Sequence, residues 1–333
     1  MYERLQAFLQ HKMPTAQHLR VSDVTRLVGG ASRESFSFEA SWREAGRAVE
    51  RCWVLRRDPI ASVAFTQRER EYAVLKLIER TPVPAPKAYW LEMDGSWLDR
   101  PFMILERLYG LTTNSFGLMC EGNDALRRRV ARQYVETLVQ LHSTDWRRLN
   151  EDQALEVPED PAHYPAQAVA HMDLALWFVN QDPQPIMREA VNWLRANAPT
   201  TEELVLTHGD YKGDNIMYDE NGLVGVLDWE AAHLGERLED LGWATLNFWQ
   251  VEGLCCGLVE REALISTYEE LSGRKVDRDK LFWWEVFSNL KMAMVCQYGV
   301  RSFEDHPGIS LVPGFLGFLA PRLYEDMYQQ LRA

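Results

Sequence analysis

The stretch LVLTHGDYKGDNIMYDENGLVGVLDWE, Leu204 to Glu230, decides how the chain folds. Leu204-Val205-Leu206 is a short apolar run of the kind that fills a buried strand. His208-Gly209-Asp210 follows, and Asn215 stands five residues beyond Asp210. Ile216 to Tyr218 and Leu223 to Leu227 flank the turn Asp219-Glu220-Asn221-Gly222, and Asn-Gly between apolar runs is a hairpin signal. The second strand of that hairpin delivers Asp228. Two carboxylates and one carboxamide thus stand at strand ends, where a packed sheet can hold them rigidly.

Those side chains suit phosphoryl transfer from a metal-bound nucleotide. Such a reaction needs a carboxylate to orient the attacking hydroxyl and accept its proton. It also needs oxygen ligands that hold a metal against the phosphates while charge develops on the transferring group. Mg²⁺ suits a site with few protein oxygens, because it keeps the rest of its octahedron for water and phosphate. On this reading Asp210 is the base, and Asn215 and Asp228 are the metal ligands. A turn at HGD and a strand-end cap at Asp228 would explain each residue alone. The ordered pattern between apolar strands favours a site.

HGD-x-x-x-x-N followed by an apolar strand ending in Asp resembles the aminoglycoside phosphotransferase and choline kinase-like family. That family is a relative of the protein kinases, whose catalytic loop has the same Asp-to-Asn spacing. The resemblance implies an α+β, protein kinase-like two-lobe fold, with a small antiparallel-sheet N-lobe (1–107), a larger mostly helical C-lobe (108–333), and ATP between them. It implies that Lys212 contacts the transferred phosphate, and LDWE stands where protein kinases have DFG. It also implies that the loop at Gly29, Gly30 and Ser32 covers the nucleotide phosphates. A Gly-containing loop does let backbone N–H groups approach phosphates, although a plain hairpin turn reads the same.

Kinase-like folds further need a cation on the next strand, oriented by a helix carboxylate. Arg56 and Glu71 fill those roles, because Glu71 precedes a Tyr72-x-x-Leu75 face that should pack on the sheet; Arg57 is the rival for Arg56. Lys is commoner here, but the branch this chain most resembles, also found fused to acyl-CoA dehydrogenases, often has Arg. In ILERLYG, the hinge between lobes, Glu106 and Leu108 are placed by position as the backbone that meets the adenine edge.

The bulk properties agree with an ordinary globular chain. It has 333 residues, 46% of them hydrophobic and 26% charged, which suits two lobes around sizeable cores. A net charge of −13 argues against a nucleic-acid partner and favours a neutral or cationic acceptor. Five cysteines without metal spacing read as reduced core thiols. No signal peptide or membrane span is legible, so a cytoplasmic location is expected.

Outside the central stretch, residues 1 to about 20 read as an opening helix. Strands are expected at Val21–Gly29, Phe36–Ala40, Ala48–Arg57, Lys87–Glu92 and Pro101–Arg107, with a helix from Phe65 to Arg80. Thr81 to Pro86 is too proline-rich to be helical. Asn123 to His142 carries Leu126, Val130, Tyr134 and Leu138 at helical spacing, with Arg127, Arg128, Arg129 and Arg132 on its wet face. Residues 150 to 165 read as a surface loop. Helices are expected near 171–180, 186–198, 258–271, 277–298 and 314–331. Asp240 resembles the family's Asp that hydrogen-bonds the catalytic loop from below, and a helix N-terminal carboxylate would look alike.

The acceptor implied by the resemblance is a small-molecule hydroxyl: aminoglycoside-like, an amino alcohol, or a hydroxyacyl-CoA. The aromatics at Trp243–Trp249 and Trp283–Phe287 are core or acceptor pocket. The alternative to a kinase is a nucleotide-binding pseudokinase acting as a binding module. Its support is the Arg at position 56; the intact Asp210, Asn215 and Asp228 speak against it.

Overall fold

The computed structural model describes residues 1–27, 34–58, 68–112, 123–150, 153–179, 184–305 and 312–332. Helix α1 (Tyr2–Lys12) leads to β1 (Gln17–Arg26), β2 (Glu34–Glu44), β3 (Arg47–Arg57), α2 (Arg68–Ile78), β4 (Ala88–Glu92) and β5 (Phe102–Glu106). The strands form a five-stranded sheet in the order β1-β2-β3-β5-β4, with every neighbouring pair antiparallel. The opening helix is shorter than expected because Pro14 bars Met13 from helical geometry. The chain therefore enters β1 at Gln17, ahead of the expected Val21.

Period-two alternation along β3 decides what each face of this sheet carries. Trp53 and Leu55 join Phe102 and Ile104 in one apolar cluster, covered by Leu5, Phe8 and Leu9 of α1. Arg56 points the other way, paired with Met103 of β5, whose side chain joins Leu105 and the Val74, Leu75 and Ile78 of α2 in a second cluster. That second cluster is continuous with the core of the rest of the chain.

After a short β6 (Leu111–Thr112) come α3 (Asp124–His142), α4 (Trp146–Leu149), α5 (Tyr164–Val179) and α6 (Pro185–Ala196). The central stretch supplies β7 (Val205–Thr207), β8 (Ile216–Asp219) and β9 (Gly222–Val226), followed by β10 (His233–Gly235) and α7 (Arg237–Ala244). Helices α8 (Arg261–Ser272), α9 (Arg278–Asp305), α10 (Val312–Phe315) and α11 (Ala320–Arg332) complete the fold. The hairpin β8–β9 is as expected, its turn held by Asn221 N–H donating to Asp219 Oδ1 at 2.7 Å. It gains β6 as a third strand, while β7 pairs with β10.

Helix α5 starts at Tyr164, ahead of the expected His171, with Pro165 tolerated in its first turn. Helix α9 is 28 residues long and runs on to Asp305, past the expected Tyr298. Helices α5, α6, α7 and α11 all pack on it, so it lacks the one-sided apolar stripe that marks helix ends in sequence. Trp283, Trp284 and Phe287 are buried in this packing, which makes that patch core. Among the described residues, no helix is long and apolar enough to cross a membrane. Cys52, Cys255, Cys256 and Cys296 are free thiols, and Cys120 lies outside the described residues.

Candidate active site

Strand β7 ends at Thr207, and the backbone of the two residues after it is held by one buried carboxylate. The N–H groups of His208 and Gly209 donate to Asp240 Oδ2 and Oδ1, each at 2.8 Å. Asp240 also receives His142 Nε2 at 3.1 Å, and His142 Nδ1 meets the Tyr268 hydroxyl at 2.8 Å. Burial alone would raise the Asp240 carboxyl, but His142 and the His208 backbone N–H outweigh it and hold the group below the usual carboxylate range. The buried His208 ring is a bracket. Its Nδ1 accepts the Asp210 N–H at 3.2 Å, so Nε2 carries the proton that Leu227 O receives at 2.9 Å. Burial pushes this imidazole below its ordinary value, with Asp240 and Asp210 opposing, in keeping with a neutral ring.

Gly209 sits at φ +75°, and a Cβ there would collide with the carbonyl of Ala231. Its own carbonyl accepts Lys291 Nζ at 2.7 Å. Gly209→Ala adds left-handed strain of about 1–2 kcal/mol to a clash against backbone. Its denaturant midpoint should fall clearly at unchanged m, and a wild-type midpoint would refute this account of the glycine.

The Asp210 carboxylate is gripped from three directions. Oδ2 receives Asn215 Nδ2 at 2.8 Å and pairs closely with Lys212, while Oδ1 receives Trp243 Nε1 at 2.9 Å. Asn215 Nδ2 also donates to the Asp210 carbonyl at 2.8 Å, closing the loop on itself. For Lys212, burial works to lower the ammonium, but Asp210 outweighs it and raises the group, so the amine is charged. Its Nζ lies 5.2 Å from the Trp249 ring centre. Burial raises the nearby Asp214 carboxyl against the pull of Lys212.

Asp228 follows β9 in a left-handed conformation, φ 59° and ψ 62°, uncommon for a residue with a side chain. Trp229 anchors the turn: its buried indole donates to Val226 O at 2.9 Å. Asp228 Oδ1 meets Arg56 Nη2 at 2.7 Å, and Arg56 Nη1 meets Glu71 Oε1 at 2.7 Å. Burial would raise the Asp228 carboxyl, yet Arg56 and Lys212 together hold it low. Burial likewise works against the Arg56 charge, and Glu71, Asp228 and Glu230 reinforce it. Arg57, on the opposite face of β3, pairs instead with Glu34 at 2.8 Å and with Leu98 O. The sheet register thus turns Arg56, and not its neighbour, towards Glu71.

The two groups of residues are joined by backbone. Leu227 N–H donates to Asn215 O at 2.8 Å, and Leu227 O receives His208, so the residue before Asp228 is tied to both ends of the Asp210 loop. Asn215 spends its Nδ2 on Asp210, which leaves its Oδ1 as the atom with lone pairs for a cation. Among the described residues, no three His, Cys, Asp or Glu side chains cluster as a metal cage. One carboxylate and one carboxamide oxygen fit Mg²⁺, which asks little of the protein, better than a metal needing a full protein shell.

Gly29, Gly30 and Ser32 are outside the described residues. Glu106 Oε2 accepts Lys87 N–H at 3.2 Å, and Leu108 lies over Gly225 of the hairpin, where a Cβ would fall 2.5 Å from its Cδ1. Val226 N–H donates to Pro84 O at 2.9 Å, so the proline linker also rests on the hairpin. A cavity of about 70 Å³ beside Lys212 is lined by Asp214, Phe248, Trp249 and Cys256. The Arg127–Arg132 face borders a separate cleft of about 530 Å³, where Arg127 donates to Leu258 O. Lys291 escaped sequence reading because one cation in an apolar helix carries no periodic signal. Trp243 was legible only as one of several aromatics.

Residues 24–273 match the APH phosphotransferase enzyme family. A Ralstonia eutropha protein assigned as an aminoglycoside phosphotransferase superposes with a TM-score of 0.72 at 22% identity, covering 99% of this chain and 98% of that one. A thermostable mutant of the aminoglycoside phosphotransferase APH(4)-Ia, solved as a ternary complex with ADP and hygromycin B, gives 0.64 at 17% identity and 98% coverage of both. Acyl-CoA dehydrogenase family member 11 of Rattus norvegicus is 28% identical over 261 residues, which is 74% of this chain. The match spans only 31% of that longer relative. Sequence match and two-lobe architecture agree: the chain has the kinase-like aminoglycoside phosphotransferase fold and belongs to the APH phosphotransferase enzyme family.

Proposed function

We propose that the chain is an ATP-dependent phosphotransferase that moves the γ-phosphate to a hydroxyl of a small molecule. The observation that carries this reading is the joining of Asp210, Asn215 and Asp228 at the ends of β7 and β9, with Arg56 and Glu71 against Asp228. We place the lobe boundary at residues 107 and 108, with the nucleotide in the cleft beside Arg56 and its adenine edge at Glu106 and Leu108. The ADP complex of APH(4)-Ia supports an adenine nucleotide, and its hygromycin B supports a small acceptor.

In the transfer step, the acceptor oxygen bonds to the γ-phosphorus while the bond to the β–γ bridging oxygen breaks and ADP leaves. Asp210 takes the hydroxyl proton. Lys212, held charged beside Asp210, offsets charge on the transferring group. Arg56, aimed by Glu71, grips the α- and β-phosphates. Asn215 and Asp228 would hold Mg²⁺, which when bound neutralises phosphate charge. Positioning and preorganised charge supply most of the rate in such a site.

The acceptor class is open to one decisive screen: Mg²⁺-ATP consumption measured across amino sugars, amino alcohols and hydroxyacyl-CoAs. Turnover well above the ATP-only rate is expected with members of one class. Tight nucleotide binding with no turnover on any of them would favour the binding-module alternative.

A further inference from the structure

We propose that Trp243 and Lys291 are positioning residues for the base, holding the Asp210 carboxylate so that its Oδ1 is presented to the acceptor hydroxyl. The inference rests on the phosphotransfer reading above. A carboxylate oxygen offers two in-plane lone pairs. Among the described residues, Oδ2 has two donors, Asn215 Nδ2 and Lys212 Nζ, whereas Oδ1 has one, Trp243 Nε1 at 2.9 Å. Oδ1 therefore keeps a lone pair for the incoming proton, and the indole sets the direction in which it points.

The indole is itself fixed. Trp243 is 4% exposed, and its ring centre lies 5.6 Å from that of Trp249 and 4.9 Å from Lys291 Nζ. An ammonium over an indole face is attracted by the ring quadrupole and draws electron density from it, which strengthens Nε1–H as a donor. Lys291 is held in turn. Its Nζ donates to Gly209 O at 2.7 Å and lies 3.6 Å from Glu239 Oε1. Glu239 and Trp243 stand four residues apart on α7 and so share one helix face, against which the Lys291 ammonium of α9 can serve both. Glu239 Oε2 is anchored by Tyr164 OH at 2.8 Å and His233 Nε2 at 3.1 Å. The ammonium thus fixes the backbone immediately before Asp210 and the side chain that orients it. A residue that only filled space would need neither bond.

Two measurements on the full chain test this. In ¹⁵N–¹H spectra of tryptophan-labelled protein, Trp243→Phe identifies one indole signal, and Asp210→Asn should move that signal more than the others. An unmoved signal would overturn the proposal, and this readout needs no acceptor or turnover, so it stands apart from the kinase reading. In Mg²⁺-ATP turnover, Trp243→Phe keeps the aromatic body and removes the donor; kcat should fall by as much as about 10²-fold with the KM for ATP unchanged. Lys291→Met should fall similarly, and Lys291→Arg should recover much of the loss. Wild-type kcat in Trp243→Phe, or a loss confined to the KM for ATP, would refute a positioning role.

Discussion

Asp210→Asn should lower kcat by at least about 10²-fold, the weight typical of a lost general base, while the KM for ATP stays near wild type. The carboxamide has nearly the shape of the carboxylate but cannot take up the acceptor proton. The loop around it should survive, because Asp240 and Lys291 hold it through the backbone of His208 and Gly209. Asp228→Ala should abolish Mg²⁺-dependent turnover by removing an anionic oxygen at the phosphate end of the site. The pair separates two failures. Full activity in Asp210→Asn would sink the base assignment alone. Full activity in Asp228→Ala would sink the metal-nucleotide reading as a whole.

Arg56→Met should destabilise the protein by about 3–5 kcal/mol, the usual cost of removing one partner of a buried ion pair. Glu71 is fully buried at 0% side-chain exposure and Arg56 is 11% exposed, so solvent cannot replace the lost cation. Arg57→Met, one residue along, should cost about 1 kcal/mol or less. Its partner Glu34 is 21% exposed and keeps Arg100 at 2.8 Å. Adding Glu71→Gln to Arg56→Met should recover part of the loss, because the buried charge that Arg56 offset is gone. Denaturant midpoints at constant m decide this, and equal losses for Arg56→Met and Arg57→Met would contradict the two-faced reading of β3. In turnover assays Arg56→Met should also raise the KM for ATP.

The central stretch was legible because its chemistry and its geometry are both local. Asp210 and Asn215 lie on one loop, and Asp228 ends a hairpin whose turn residues announce it, so spacing alone puts a carboxamide beside the Asp210 carboxylate. The same locality made β3, α2 and α3 readable from periodicity. Strands of two and three residues such as β6 and β10 carry no period, and α9 is packed on most sides, so their extents stayed hidden.

Sequence by itself determined the order of chemical groups along the chain, the hairpin that presents them, and the family they resemble. Only the tertiary structure decided between Arg56 and Arg57. Adjacent residues on a strand face opposite ways, and register with β5 together with the placement of α2 settles which side meets Glu71. It alone brought Lys291 to Gly209 across 82 residues and set Trp243 against the Asp210 carboxylate. Contacts of that range depend on how helices pack on one another, and side-chain packing leaves no spacing rule in the primary sequence.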